Sequence, residues 1–262
     1  MKTPILNSVL LKNKMLLIAF AILSITLISC DDDDNNTTPT AVEISEDEAA
    51  EAISMAVTPD TGGMVEQSME AIYIVEGNVD TSGKSTDSQK SYDYECGQEY
   101  TSTYIRSNDS GNFTYNVNYI WSWMLTCDEE GNPSEFNFQL DGTGSYTSPR
   151  MSSSDTNAAT INITSLDEAQ SVYILNQEYT REGTQESFVR NQNSFTSSIN
   201  LKTSNLEVLK ANHNITSGTI TASFTGESSN GNTYNFSGEI VFTGNQTATL
   251  TMGSGNTYNL AW

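Results

Sequence analysis

Phe113-Thr-Tyr-Asn-Val-Asn-Tyr-Ile-Trp-Ser-Trp-Met-Leu125 decides the fold. Phe113, Tyr115, Val117, Tyr119, Trp121, Trp123 and Leu125 occupy every second position, with Thr114, Asn116, Asn118 and Ser122 between them. A period of two sends successive side chains to opposite faces, so this is a long antiparallel strand with one buried face. Directly before it, Ser110-Gly111-Asn112-Phe113 places Gly and Asn in the centre of a two-residue hairpin, a type II′ turn. That turn sets the register: Tyr104 opposes Tyr119, Tyr100 opposes Trp123 and Cys96 opposes Cys127. The partner strand then carries Tyr92, Tyr94, Cys96, Tyr100 and Tyr104 on the aromatic face, with Asp93, Glu95 and Glu99 outward.

Further alternating runs lie near 135–147, 158–164, 170–179, 184–190, 194–203 and 214–226. Tyr234, Phe236, Ile240 and Phe242 alternate up to Gly244-Asn245. Ala248, Leu250 and Met252 return, Gly253 to Asn256 turn, and Tyr258, Leu260 and Trp262 finish, tying Trp262 into the sheet. Asn-Thr-Tyr-Asn occurs at 232–235 and again at 256–259, an echo at the level of one hairpin. Strand after strand joined by short Gly/Asn/Ser turns means local pairing, not a βαβ plan. The expected fold is mainly β: an antiparallel meander of about ten strands over 92–262, forming an open or closed barrel, with a β-sandwich as the alternative.

Two short helices precede it. Ser45-Glu46-Asp47-Glu48 is a capping box, and Ala49, Ala52, Ile53, Ala56 and Val57 recur at helical spacing until Pro59. Thr61-Gly62-Gly63 breaks the chain, and Val65, Met69, Ile72 and Tyr73 form a second helical pattern ending near Gly77. The weak apolar faces of this pair (45–76) suggest helices lying on something else. Residues 77–91 are a polar linker.

The first residues carry an address. Lys2, Lys12 and Lys14 precede an almost unbroken apolar run from Met15 to Ile28, and Leu27-Ile28-Ser29-Cys30 closes it. These features read as a bacterial lipoprotein signal with its lipobox (1–29), cut before a Cys30 that carries the lipid. The apolar run is short of the roughly 20 residues that span a bilayer; a retained membrane anchor is the alternative. Two or three acyl chains hold a protein more firmly than one. Asp31, Asp32, Asp33 and Asp34 open a segment, 30–44, whose first part (DDDDNNTTPT, 31–40) has no apolar residue and is expected to be a disordered, self-repelling tether.

With Cys30 on lipid, Cys96 and Cys127 remain as a pair in an oxidising, exported setting, either bridged or as two buried thiols. The hairpin register favours the bridge. The chain has 11 basic and 33 acidic residues, a formal charge of −22, and loss of the signal's lysines makes it more acidic still. Such a surface opposes nucleic acid and anionic head groups. Neutral glycans, apolar small molecules and divalent cations stay compatible.

Few residues suggest chemistry. His213, the single histidine, lies between two asparagines ahead of a strand and reads as a loop residue. One histidine without a free cysteine removes the usual zinc sites and most catalytic triads. Asp93/Glu95 and Asp128/Glu129 are carboxylate pairs of the kind a glycosidase uses, yet alternation and turn chemistry put them in solvent. Asp31–Asp34 and Asp128–Asn132 lack the alternating ligand spacing of a calcium loop. No cofactor is expected. The aromatic stripe on 113–125 is either core or a platform for stacking sugars, and its Val117 and Leu125 favour core.

The lipobox, Asp run, helix pair and Tyr/Thr/Gly-rich strands together resemble uncharacterised surface lipoproteins of Flavobacteria and other Bacteroidota. The resemblance is carried most by Pro149-Arg150-Met151-Ser152-Ser153, Tyr179-Thr180-Arg181-Glu182-Gly183-Thr184, Val189-Arg190-Asn191 and Ser217 to Trp262. It implies a shared fold and no assigned activity. It also implies that Asp31–Asp34 act as a surface-export signal, placing a lipid-anchored chain at the outer membrane facing outward. In enterobacteria the same run would favour inner-membrane retention. The leading expectation is a monomeric, non-enzymatic envelope accessory or binding module anchored through Cys30. The alternatives are a carrier of an apolar ligand, in a half-barrel lidded by the helices and similar to periplasmic lipoprotein carriers, and, more remotely, a carboxylate-based glycoside hydrolase.

Overall fold

A computed structural model describes residues 43–77, 94–190 and 192–262. The signal, Cys30, Asp31–Asp34, most of the linker, Tyr92, Asp93 and Asn191 lie outside the described residues. Ala41–Trp262 forms one compact unit.

Ten antiparallel strands make one sheet in strict chain order. They are β1 (Glu99–Ser110), β2 (Phe113–Cys127), β3 (Pro133–Thr147), β4 (Met151–Thr164), β5 (Val172–Ser187), β6 (Ser194–Leu209), β7 (Ile215–Ser228), β8 (Thr233–Gly244), β9 (Thr247–Met252) and β10 (Thr257–Ala261). The meander is as expected. Its outer strands β1 and β10 do not pair, so the sheet is open and is neither a closed barrel nor a two-sheet sandwich. The first hairpin keeps its expected register, with Ser110 opposite Phe113, Tyr104 opposite Tyr119 and Tyr100 opposite Trp123. Gly111 takes a φ of +65°, the left-handed geometry that the first position of a II′ turn demands.

α1 (Glu46–Val57) begins at Ser45 with both halves of the capping box formed, and α2 (Met64–Val75) follows a single turn of tighter helix at Pro59–Thr61. The helices lie against the inner face of the sheet. Ala49, Ala50, Ile53, Ala56, Val57, Ala71 and Ile72 are fully buried there, beside Tyr119, Trp121, Phe136, Leu201 and Leu250. Tyr104 and Arg106 of β1 reach Glu66 of α2, while Tyr258 of β10 reaches Asp47 of α1. Both free edges therefore touch the helical pair, and the sheet wraps around it. In α1 the buried residues are mostly alanines, and in α2 Glu66, Gln67 and Ser68 are buried beside the apolar ones, which explains why the apolar faces of the pair looked weak in sequence.

Three strands run longer than their alternation suggests. The runs at 170–179 and 184–190 are one strand, β5, because its later inward positions are Arg181, Gly183, Gln185 and Ser187, not apolar residues. β4 extends back to Met151 for the same reason: Ser153, Asp155 and Asn157 point inward. β6 continues past 203 through a bulge at Ser204–Glu207, with Asn205 at a φ of +56° and its N–H donated to Asn176 Oδ1. The extra residue shifts the parity, so Leu206 and Val208 take over the buried positions from Leu201 and Thr203.

One part of the hairpin differs from expectation. Gly97, at a φ of +75°, turns the chain out of the strand, and β1 starts only at Glu99. Cys96 makes an isolated bridge to Leu125 rather than sitting directly opposite Cys127. The two sulfurs still lie at disulfide distance, with Cα atoms 5.7 Å apart.

Candidate functional site

The inner face contains a polar patch that the alternation pattern concealed. Arg181, fully buried on β5, donates to Asn157 Oδ1 at 3.0 Å, to the Met55 carbonyl at 3.0 Å and to the Thr61 carbonyl at 3.1 Å. The last two belong to the end of α1 and the turn after it, where carbonyls lack helical partners and a positive charge is favourable. Asp155 lies 3.9 Å from the guanidinium and accepts from Ser153 and Asn157. Gln177 bonds Ser68 of α2. These groups fasten the helical segment to the sheet.

A cleft of about 230 Å³ lies at one end of the domain. Val65, Met69 and Tyr73 form one stripe of α2, four residues apart and so on one face of the helix. Ile215 at the start of β7 and Phe242 near the end of β8 complete an apolar floor. Trp262 forms a wall, its ring edge-on to Phe242 at 6.1 Å, and the Trp262 N–H donates to the Gln246 carbonyl. Asn212, His213, Asn214, Gln246 and Thr247 make the rim. The rim comes from two connections with left-handed residues: His213 at a φ of +55°, and the two-residue turn Asn245-Gln246 at +53° and +60°.

His213 is held from both sides. Its Nε2 lies 3.1 Å from Glu76 Oε1, and its ring packs edge-on against Tyr73 at 5.1 Å. The same carboxylate oxygen accepts from the Tyr173 hydroxyl at 3.1 Å. Burial, followed by the negative charge of Glu76, pushes the Tyr173 phenol above its ordinary pKa, so it stays a donor. Lys210 stands over the Tyr173 ring at 4.7 Å, and burial lowers its pKa.

The other candidate residues lie elsewhere. Asp128 closes the β2–β3 turn, accepting N–H bonds from Glu130 and Asn132; the Asn132 bond comes first in holding its carboxyl below the ordinary range. Glu95 is exposed. The aromatic stripe of β2 is core: Tyr119 and Trp121 are fully buried and Tyr104 stacks on Trp121 at 4.0 Å. A carboxylate cluster that sequence reading missed joins Glu66 and Glu70 through Arg106, at 2.6 and 3.1 Å. Tyr104 and Tyr115 also donate to Glu66. Burial raises the Glu66 pKa despite Arg106 and the two hydroxyls. Among the described residues, no three His, Cys, Asp or Glu side chains gather as a metal site, and no helix is long and apolar enough to cross a membrane.

Of the cleft, the helical stripe Val65–Met69–Tyr73 and the loop position of His213 were legible in sequence. Their meeting with Phe242 and Trp262 was not, because it depends on how far the sheet curls. Comparison with protein-family models, curated proteins and solved structures finds no match to this chain.

Proposed function

We propose that this protein is a bacterial envelope lipoprotein, held at the outer membrane through Cys30 and facing outward, whose β domain binds a small neutral molecule without transforming it. The anchoring part of this reading rests on the lysine-flanked apolar segment, the lipobox ending in Cys30 and the run Asp31–Asp34. The binding part is carried by one observation. In a chain with 33 acidic residues, the end cleft is lined by twelve residues that include no Asp, Glu, Lys or Arg. His213, the only titratable base among them, already engages Glu76 through Nε2. An uncharged, partly apolar recess of this kind favours holding a ligand over acid–base work on it.

The anchor and the sorting are tested separately. Cys30→Ala should abolish palmitate labelling and release the protein from membranes; continued labelling overturns the lipoprotein reading. Replacing Asp31–Asp34 with Ala should preserve labelling but reduce cleavage by protease added to whole cells. Unchanged cleavage would leave the acidic run as a tether only.

A further inference from the structure

The geometry points to a ligand class for the end cleft: we infer that it takes a neutral planar aromatic of one or two fused rings with a polar edge, of the indole or phenol kind. This rests on the binding reading above and deepens it. Size sets the first limit. A dry apolar cavity of about 150 Å³ holds benzene, and pockets for drug-sized ligands begin near 300 Å³. At about 230 Å³ the cleft lies between them, room for a single or fused pair of rings.

Shape and chemistry set the second. Val65, Ile215 and Phe242 are buried and Met69 is partly so, which makes the floor apolar. Tyr73 is one of few large apolar side chains left open, at 37% exposure, and it stands at this cleft. Tyr73 and Trp262 are each already fixed by an edge-on contact, to His213 and to Phe242, so aromatic walls are in place before anything binds. Aromatic rings favour such offset and edge-to-face neighbours. A sugar would stack on these walls but leave hydroxyls unpaired against the floor, a cost that an aromatic ring avoids. A fatty acid would bring a carboxylate to a lining without a lysine or arginine. The amides of Asn212, Asn214 and Gln246 at the rim suit the one polar edge of an indole N–H or a phenol hydroxyl.

The test uses detergent-solubilised full-length protein and three probes, indole, glucose and decanoate, followed by calorimetry and ligand-observed NMR. Indole should bind saturably, and Met69→Trp, which fills the floor, should weaken it at least about tenfold. Tyr73→Ala, at an open position, should weaken it severalfold and keeps the test valid should Met69→Trp not fold. Ile120→Ala, on the opposite face of the sheet, should leave it unchanged. Binding of glucose, lost in Met69→Trp, without indole binding would overturn the ligand class and leave the neutral-ligand reading standing, whereas decanoate binding lost in Met69→Trp would overturn both. Indole binding indifferent to both cleft substitutions would also overturn the assignment. Failure of all three probes to bind would overturn the cleft as a ligand site, and the binding reading with it.

Discussion

Arg181 ties the helical segment to the inner face of the sheet. Its guanidinium meets two main-chain carbonyls of the helical segment, Asn157 and the Tyr179 hydroxyl, with the Tyr146 ring 5.4 Å from its centre. Removing one member of a buried charged network costs about 3–5 kcal/mol, because the remaining groups stay desolvated and unpaired. Arg181→Met should therefore lower unfolding free energy by roughly that amount in urea titrations. Arg181→Lys should recover little, since a single ammonium lacks the planar fork that spans both carbonyls. A loss below about 1 kcal/mol would show that the network is dispensable. Glu66 gives a pH test at the same scale. Burial raises its pKa, so the folded state holds the proton more tightly than the unfolded chain does. Its contribution is then most favourable in acid and is lost as pH rises from the ordinary carboxylate value through the raised one. Across that window the stability of Glu66→Gln should gain on that of the wild type. Parallel pH–stability curves for the two proteins would contradict the assignment.

At the scale of the element, the inner face of the sheet is shaped by glycine as much as by aromatic residues. A methyl group built on Gly142 of β3 would stand 2.1 Å from the Asn118 carbonyl oxygen on β2, and one on Gly183 would stand 2.2 Å from the Ser154 carbonyl oxygen. Neither position has a left-handed φ, so the glycines serve close strand approach where the sheet curls, not turn geometry. Gly142→Ala should cost about 2 kcal/mol or more by overpacking. Gly253→Ala, whose nearest neighbour is the Ser237 hydroxyl at 3.3 Å, should stay within about 0.5 kcal/mol of wild type. Equal melting temperatures for the two variants would remove glycine from the account of curvature. The same elements show why strand ends were hard to read. Apolar alternation marks an inner face only while the facing partner is apolar. Where β4 and β5 meet the end of α1, the inward residues are Asp155, Asn157 and Arg181, and the pattern fades though the strands continue.

For the whole molecule, the sheet needs its helices. Among the described residues β1 and β10 do not pair, and the inner face holds Trp121, Phe136, Phe138, Leu140, Ile199 and Phe224, all nearly inaccessible. Without the segment 43–77, much of that surface would face water at about 25 cal/mol per Å². A chain lacking 43–77 should be insoluble, or should bind a hydrophobic dye strongly, where the complete domain does not. A soluble, monomeric, dye-negative sheet would mean that the helices are a dispensable appendage.

The sequence alone determined what depends on neighbours along the chain. The II′ turn at Gly111-Asn112 set the register of the first hairpin, because a two-residue loop leaves no choice of pairing. The capping box at Ser45 set the start of α1, because its hydrogen bonds close within four residues. Short turns throughout made a meander, since each strand finds its partner next door. Tertiary structure decided whatever depends on the curl of the sheet. Small inward residues and a helical plug tighten that curl, and Phe242, Trp262, His213 and Tyr73 meet in one cleft only because it brings the last strands and their connections to α2. No local pattern encodes that meeting, because curvature is a sum over ten strands and belongs to none of them.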